Sequence, residues 1–267
     1  MTSEDPLADR LQLDRPHSAR VWNFLLGGKD NYAADREAGE MIVQMFPDIA
    51  LLARLQRRFL VRAVRYLTEE AGIRQFLDIG TGLPTVDNTH EVAQRIAPES
   101  RIVYVDNDPL VLVHAQALLT STPDGACAYL EADVREPERI LEVAAKTLDF
   151  SRPIALTMLG ILGQIPDSDE PEAVVSRFLE ALPPGSYLAL SDGTDTNAAL
   201  NQAISVYNAN SASSYHLRGP ERIEAFFTGL EVIEPGIVPT SQWHPEPVDV
   251  GRDPSDVDAI CGIGRKA

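Results

Sequence analysis

The sequence is poor in the residues from which covalent and metal-held sites are built. Its 267 residues include two cysteines and five histidines. No Cys or His cluster has metal-ligand spacing, so no metal is expected. Cys127 and Cys261 each lie in an apolar, strand-like run, which reads as buried free thiols in a reducing compartment and not as nucleophiles. No apolar run is long enough to span a membrane, and the stretch from Met1 to Asp14 has no apolar core segment, so a cytoplasmic protein is expected. Positive charge is scarce as well: 23 Lys and Arg stand against 40 Asp and Glu, a formal net charge of −17. Such a field repels phosphate backbones and anionic bilayers, which disfavours nucleic acid and membrane as partners and leaves small molecules or a protein. Internal repeats and low-complexity tracts are absent too. What remains is 44% hydrophobic residues, enough for a sizeable core in one large α/β domain or in a domain with an extension.

The chain begins with a loose arm over residues 1–15. A helix is expected from Ser18, as N-cap, to Gly27-Gly28, then the polar tetrapeptide Lys29-Asp30-Asn31-Tyr32, a second helix over about 33–45 and a third over about 48–71. In the third, Leu52, Leu55, Phe59, Ala63 and Leu67 recur at helical spacing. Arg54, Arg57, Arg58, Arg62 and Arg65 occupy much of the remaining surface and read as a solvated face. After Gly72 the pattern changes to strands at about 74–79, 101–106, 126–131, 154–161 and 186–191, with helices near 89–97, 109–119, 137–147 and 171–182. Repeated strand-helix-strand units predict a doubly wound parallel sheet with helices on both faces. Residues 194–217 read as a helical insertion, followed by a short helix around 220–228. Leu230 to Val238 and Val257 to Arg265 have no helix between them and predict a final antiparallel pair. Two parts follow: residues 1–72, an arm and helical cap, and residues 73–267, a ligand-binding domain.

The chemistry is expected where the first strand ends. Phe76-Leu77-Asp78-Ile79-Gly80-Thr81-Gly82 is an apolar run ending in two glycines spaced by one, the form of a buried parallel strand emerging into a ligand-binding turn. Asp106 closes the second strand, 26 residues beyond Gly80, where it can accept hydrogen bonds from both ribose hydroxyls of a nucleoside; Asp108 suits the helix cap ahead of Pro109 better. In Glu131-Ala132-Asp133-Val134 an acid can take an exocyclic adenine amine beside a backbone N–H, or simply cap a turn. A dinucleotide fold wants a third glycine so that a helix N-terminus can press on the pyrophosphate. Thr85 stands there instead. Pro84 delays the helix to Asn88, an N-cap whose capping-box partner is Glu91. A long loop before a late helix suits a cofactor without phosphate, and S-adenosylmethionine is one, with a sulfonium that Asp78 favours.

These segments carry a resemblance. Arg15-Pro16-His17-Ser18-Ala19-Arg20-Val21-Trp22-Asn23, Leu26 to Tyr32, Asp78 to Thr85, Asn88-Thr89-His90-Glu91 and Val105-Asp106-Asn107-Asp108-Pro109 are long and unusual. With them the chain resembles, over nearly its whole length, the actinobacterial S-adenosyl methyltransferase family, a class I group. The resemblance implies a Rossmann-like, mostly parallel seven-stranded sheet whose last strand is antiparallel. It implies N-terminal helices covering the cofactor, with Arg20, Lys29 and Tyr32 as lid or carboxylate contacts. The expected cofactor contacts are therefore Asp78, Gly80, Thr81, Gly82, Asn88, Asp106, Asn107, Asp133 and Val134, joined by those three.

Two positions depart from the family pattern. A histidine pair is expected after the fourth strand, where Gly163-Gln164 stands, and Ser-His after the fifth, where Ser191-Asp192 stands. Asp192 and His216 are the candidates for a base toward a hydroxyl or amine acceptor. Tyr215, Trp22 and Trp243 can wall an aromatic substrate pocket or fill the core. The expected activity is methyl transfer to a small molecule. The alternatives are a non-catalytic protein that binds S-adenosylmethionine or its demethylated product, and a nicotinamide-linked oxidoreductase.

Overall fold

The inner strands are apolar on both faces, and that decides the architecture. In the computed structural model, which describes residues 12–118, 120–211, 213–246 and 257–267, strand β1 (Gln75–Ile79) is buried throughout. Leu77 and Ile79 enter one core cluster, while Phe76 enters another across the sheet. A strand covered on both faces requires a helical layer on each. β2 (Arg101–Asp106), β3 (Ala126–Glu131), β4 (Ala155–Leu159) and β5 (Tyr187–Gly193) join it in the parallel order β3-β2-β1-β4-β5.

The sheet ends antiparallel, as expected. β6 (Glu231–Val232) and β7 (Val238–Pro239) both pair with β8 (Ala259–Arg265), and β8 runs antiparallel along all of β5, from Tyr187 opposite Arg265 to Gly193 opposite Ala259. The single strand anticipated over Leu230–Val238 is two short pieces, so among the described residues the sheet has eight strands and not seven. Pro235 has no N–H to give the ladder, and Gly236 N donates to Ile233 O at 2.9 Å in the turn between the pieces.

One helical layer is α6 (Pro137–Ala144), α7 (Pro171–Ala181) and α9 (Pro220–Ala225), whose Ile140, Phe178 and Ile223 pack on Leu77, Leu156 and Leu188. The other contains α3 (Ile49–Glu69) and α4 (Thr89–Ile96), with Phe59, Leu67 and Val92 on Phe76, Ile102 and Ile263. Burying side chains of this size contributes roughly 1.5–3 kcal/mol each. α5 (Pro109–Leu118) follows β2, and residue 119, expected at its end, lies outside the described residues.

The remaining helices form a separate cluster. α1 (Ser18–Leu25) and α2 (Ala33–Met45) pack with the first turns of α3 against α8 (Ala198–Asn210) through Val21, Leu25, Ile42, Leu52, Leu200 and Tyr207. Two expectations change here. Ser18 lies within the first turn of α1, and His17 takes the cap position. The insertion is helical only in α8, where Asn197 Oδ1 accepts the Ala199 and Leu200 N–H groups; residues 213–217 are not helical. The expected arm over 1–15 lies mostly outside the described residues. Among the described residues no helix is long and apolar enough to cross a membrane.

Candidate functional site

A cavity of about 270 Å³ opens where β1, β4 and β5 end beneath the cap. The turn after β1 forms its floor. Gly80 and Gly82 both adopt positive φ, +71° and +66°, a region closed to most side chains. Gly80 N and Thr81 N donate to Val105 O at 2.8 and 3.2 Å, which ties the turn to β2. A Cβ on Gly80 would come 2.6 Å from Ile161, whereas one on Gly82 would meet nothing within 4 Å. The first glycine is packed against protein; the second faces open space.

Asp106 holds this turn from the neighbouring strand. Its Oδ2 accepts Gly82 N–H at 2.8 Å and its Oδ1 accepts Asp108 N–H at 3.0 Å. Burial raises its pKa despite these donors, and each oxygen, accepting one N–H, keeps a second lone pair in a residue that lines the cavity. Asp108 serves the helix instead: its Oδ1 accepts Leu110 N–H at 2.9 Å at the start of α5. The separation of roles between these two acids follows from their positions on opposite sides of one turn.

Asp78 also reaches the cavity. Thr89 Oγ1 donates to its Oδ2 at 2.6 Å and Thr157 Oγ1 to its Oδ1 at 2.9 Å, yet burial raises its pKa. Arg57 lies close enough to act on Asp78 electrostatically, and burial lowers the arginine's own pKa. Its guanidinium donates to Val86 O and, at 3.2 Å, to Asn88 Oδ1, and it lines the cavity. The solvated arginine face on α3 is thus only partly right. Arg54 and Arg58 are exposed, but Arg62 is buried and donates to the Trp243 and Thr240 carbonyls. The signal for Arg57 lay in its spacing: four residues after Ala53 and three before Leu60, it stands on the apolar stripe.

Asp133 and Val134 line the wall beyond β3, with Asn107 beside Asp106. Arg135 binds the Asp133 carboxylate through Nε and Nη2 at 2.9 and 2.7 Å and holds its pKa down; the same guanidinium reaches Asp169 Oδ2 at 2.8 Å. Asp133 therefore enters the site as a fixed carboxylate.

The expected cap residues sit behind this wall. Arg20 is 2% exposed, donates to Asp108 Oδ2 at 2.9 Å and lies 5.6 Å over the Tyr32 ring, with His17 Nδ1 3.2 Å from the same oxygen. Arg20, Lys29, Tyr32 and Asn88 do not line the cavity, whereas their neighbours Ser18, Ala19, Trp22 and Thr85 do. Lys29 is exposed. Asn88 forms the anticipated capping box, its N–H donating to Glu91 Oε2 at 2.7 Å, and its Oδ1 also accepts Thr85 N–H.

Asp192, His216 and Tyr215 are arranged differently from one another. Asp192 lies inside β5, is 1% exposed, and accepts hydrogen bonds from the Tyr215 hydroxyl and, at 3.0 Å, from Gly193 N–H. Burial pushes its pKa up to about 6. Ser213, Tyr215 and Leu217 line the cavity and alternate with Ser214 and His216, which do not. His216 Nε2 pairs with Ser214 Oγ at 2.9 Å, and its N–H donates to Gly163 O at 2.7 Å. Of the aromatic candidates, Trp22 and Tyr215 reach the cavity. Trp243 is fully buried elsewhere, against Phe59, Tyr66 and His244.

The cavity has two unlike ends. Around the turns after β1, β2 and β3 it is polar, with Asp78, Asp106, Asp133, Arg57 and Arg135. Under the cap it is apolar, walled by residues such as Leu26, Ile42, Ile49, Leu52 and Ile204.

Known proteins share the sequence pattern and the fold of this chain. The model of a family described as S-adenosyl methyltransferase matches residues 4–267. A duf574 family protein from Streptomyces avermitilis is 45% identical, with 96% of this chain and 100% of that one covered and a TM-score of 0.92. A candidate methyltransferase of Thermobifida fusca is 42% identical over 100% of this chain and 99% of its own, with a TM-score of 0.88. An O-methyltransferase family protein from Burkholderia thailandensis, 15% identical over 98% of this chain and 67% of its own, shares the fold at a TM-score of 0.53. No curated protein matches the chain.

Proposed function

Because the chain belongs to the S-adenosyl methyltransferase family, we propose that the polar end of the cavity holds S-adenosylmethionine and the apolar end a small-molecule methyl acceptor. The observation that carries this division is Asp106, which aligns the glycine turn through Gly82 N–H and keeps its carboxylate at the cavity wall. The residues fit the cofactor. The open space at Gly82 is a cradle that a Cβ would fill, and the surrounding set offers carboxylates for hydroxyls and an amine, and a guanidinium for a carboxylate.

In this reading Asp106 accepts the two ribose hydroxyls, and Asn107, Asp133 and Val134 border the adenine. Asp78, Gly80 and Thr81 face the amino-acid head, and Arg57, paired electrostatically with Asp78, takes its carboxylate. Asn88 holds Arg57 and the loop; Arg20, lying over the Tyr32 ring, holds Asp108 and so the turn beside Asp106, with Lys29 at the cap surface. Residues 1–72 act as cover and residues 73–267 as the transferase body, in a cytoplasmic, reducing setting that suits the free thiols Cys127 and Cys261. Bound S-adenosylmethionine supplies an electrophilic methyl group on a sulfonium. The chain supplies alignment and a dry site: holding reactants in attack geometry is worth roughly 7–11 kcal/mol.

Titration calorimetry with S-adenosylhomocysteine and with NAD tests the cofactor assignment, and labelled S-adenosylmethionine incubated with cell metabolites tests the acceptor class. Tight binding of the first nucleoside, none of NAD, and label recovered in small molecules are expected. Stronger binding of NAD, or label found in protein or nucleic acid alone, would overturn the proposal.

A further inference from the structure

Among the described residues, the apolar end of the cavity carries no cation. The lining arginines, Arg57 and Arg135, both stand at the polar end, and the lining acids Asp78, Asp106 and Asp133 are there too. An acceptor bearing a carboxylate or phosphate would lose its hydration with nothing to replace it. An apolar body is favoured.

Polar side chains such as Gln56, Gln164 and Ser213 also line the cavity, but among the described residues Tyr215 is the one lining side chain hydrogen-bonded to Asp192. The hydroxyl end of Tyr215 rests on the backbone of Gly163, where a Cβ would come 2.4 Å from Tyr215 Cζ, and a Cβ on Gly193 would stand 3.7 Å from its hydroxyl. Gly163 is thus the seat that lets the phenol reach Asp192. A phenol has one proton. Tyr215 gives its proton to Asp192, so toward a ligand the oxygen can only accept. Asp192 is sealed behind it, and its Oδ2 is buried without a hydrogen-bond partner.

We propose that Tyr215 and Asp192 form a proton-accepting pair that selects and deprotonates a hydroxyl group carried on an uncharged apolar or aromatic methyl acceptor. The inference rests on the methyltransferase reading of the same cavity. As the acceptor oxygen bonds to the methyl carbon, the carbon–sulfur bond breaks and its electron pair stays on sulfur. The hydroxyl proton passes to the Tyr215 oxygen while the phenol proton passes to Asp192, which ends neutral. Tyr215 touches the acceptor; Asp192 acts through it. The groups facing Asp192 are the Tyr215 hydroxyl, the Gly163 and Gly193 amides and the Arg218 charge, and burial outweighs them to bring its pKa to about 6, a fitting value for a carboxylate that must be ionised at neutral pH and yet take a proton.

The test uses the full chain and a panel of phenols and aliphatic alcohols, each beside its methyl ether and its carboxylate analogue. Calorimetry without cofactor reads acceptor binding, calorimetry with S-adenosylhomocysteine reads the cofactor site, and labelled transfer reads the reaction. Wild type should bind hydroxyl compounds at least tenfold more tightly than their ethers and methylate some of them, at a rate that falls as pH drops through about 6. Tyr215→Phe should erase the preference for the hydroxyl and slow transfer about 10²- to 10⁴-fold, with S-adenosylhomocysteine affinity unchanged. Asp192→Asn should slow transfer and flatten the acid limb of the pH profile. Gly163→Ala, which displaces the ring without removing the hydroxyl, should match Tyr215→Phe. Wild-type binding of S-adenosylhomocysteine without a hydroxyl preference, transfer confined to carboxylates, or full activity in Tyr215→Phe would each overturn the pair. Loss of S-adenosylhomocysteine binding in the wild type would instead overturn the cofactor reading on which it rests.

Discussion

Replacing Asp106 with alanine isolates the interaction on which the cofactor assignment turns. Both carboxylate oxygens already accept a backbone N–H, from Gly82 at 2.8 Å and from Asp108 at 3.0 Å. Each oxygen has a second lone-pair direction, so the two can take the two ribose hydroxyls without giving up the turn. A hydrogen bond to a charged group is worth about 1.5–3 kcal/mol, and losing two removes about 3–6 kcal/mol. At about 1.4 kcal/mol per tenfold, the affinity for S-adenosylhomocysteine should fall roughly 10²- to 10⁴-fold. The substitution also strips an acceptor from two amides, so Asp106→Asn is the companion variant: it keeps the shape and one carbonyl oxygen but no charge. Its loss of affinity should be smaller than that of the alanine variant. The assay is titration calorimetry at pH 7.5, with far-UV circular dichroism and thermal melting of the free protein to separate lost binding from lost fold. Affinity within threefold of wild type in a folded Asp106→Ala would refute the placement of the ribose.

The other predictions address the turn, the carboxylate contact and the buried acid. Gly80→Ala and Gly82→Ala both force a left-handed backbone, at about 1–2 kcal/mol, but only Gly80 also drives a Cβ into Ile161. Gly80→Ala should melt lower, and Gly82→Ala should lose mainly cofactor affinity; equal melting temperatures would refute the packing role of Ile161. Arg57→Leu should weaken S-adenosylhomocysteine binding about 10- to 100-fold, as expected for one charge-assisted hydrogen bond, while Arg54→Leu on the exposed side of α3 leaves it unchanged. Equal losses in calorimetry would point to net charge and not to a contact. Asp192 titrates near 6 in the folded chain against a usual 3.8, so between those values the folded state binds the extra proton and stability falls as pH rises. Above pH 6 its ionisation costs the fold about 3 kcal/mol. Asp192→Asn should therefore gain stability over wild type as pH increases from 4 to 7, by denaturant melts, and then hold constant; a pH-independent difference would show that the wild-type carboxyl is not held up by burial.

Local chemistry made much of this molecule legible in advance. Hydrophobic runs and their alternation with helical stripes specify a parallel sheet covered on both faces, because a strand apolar on both sides has nowhere else to be buried. The two glycines after β1, Asp106 at the end of β2 and Asn88 as a delayed cap are each set by neighbours a few residues away: a positive φ, a strand end, a capping box. Those features, with the long motifs they belong to, carry the family and the polar end of the cavity.

Tertiary structure decided the rest, because it depends on which surfaces meet across long stretches of chain. The arginines of α3 look alike in the sequence, yet Arg57 lines the cavity, Arg62 is buried against Trp243, and Arg54 stays wet. The order of the three is set by what packs on the helix, and α3 is covered on more than one side. Arg20 faces Asp108, 88 residues away, and not the cavity. The alternation that admits Tyr215 and turns His216 away follows from an extended segment laid across Gly163. A glycine at that position signals nothing by itself. Only when a tyrosine from 52 residues later settles on it does the gap become a seat, and Asp192 acquire a partner.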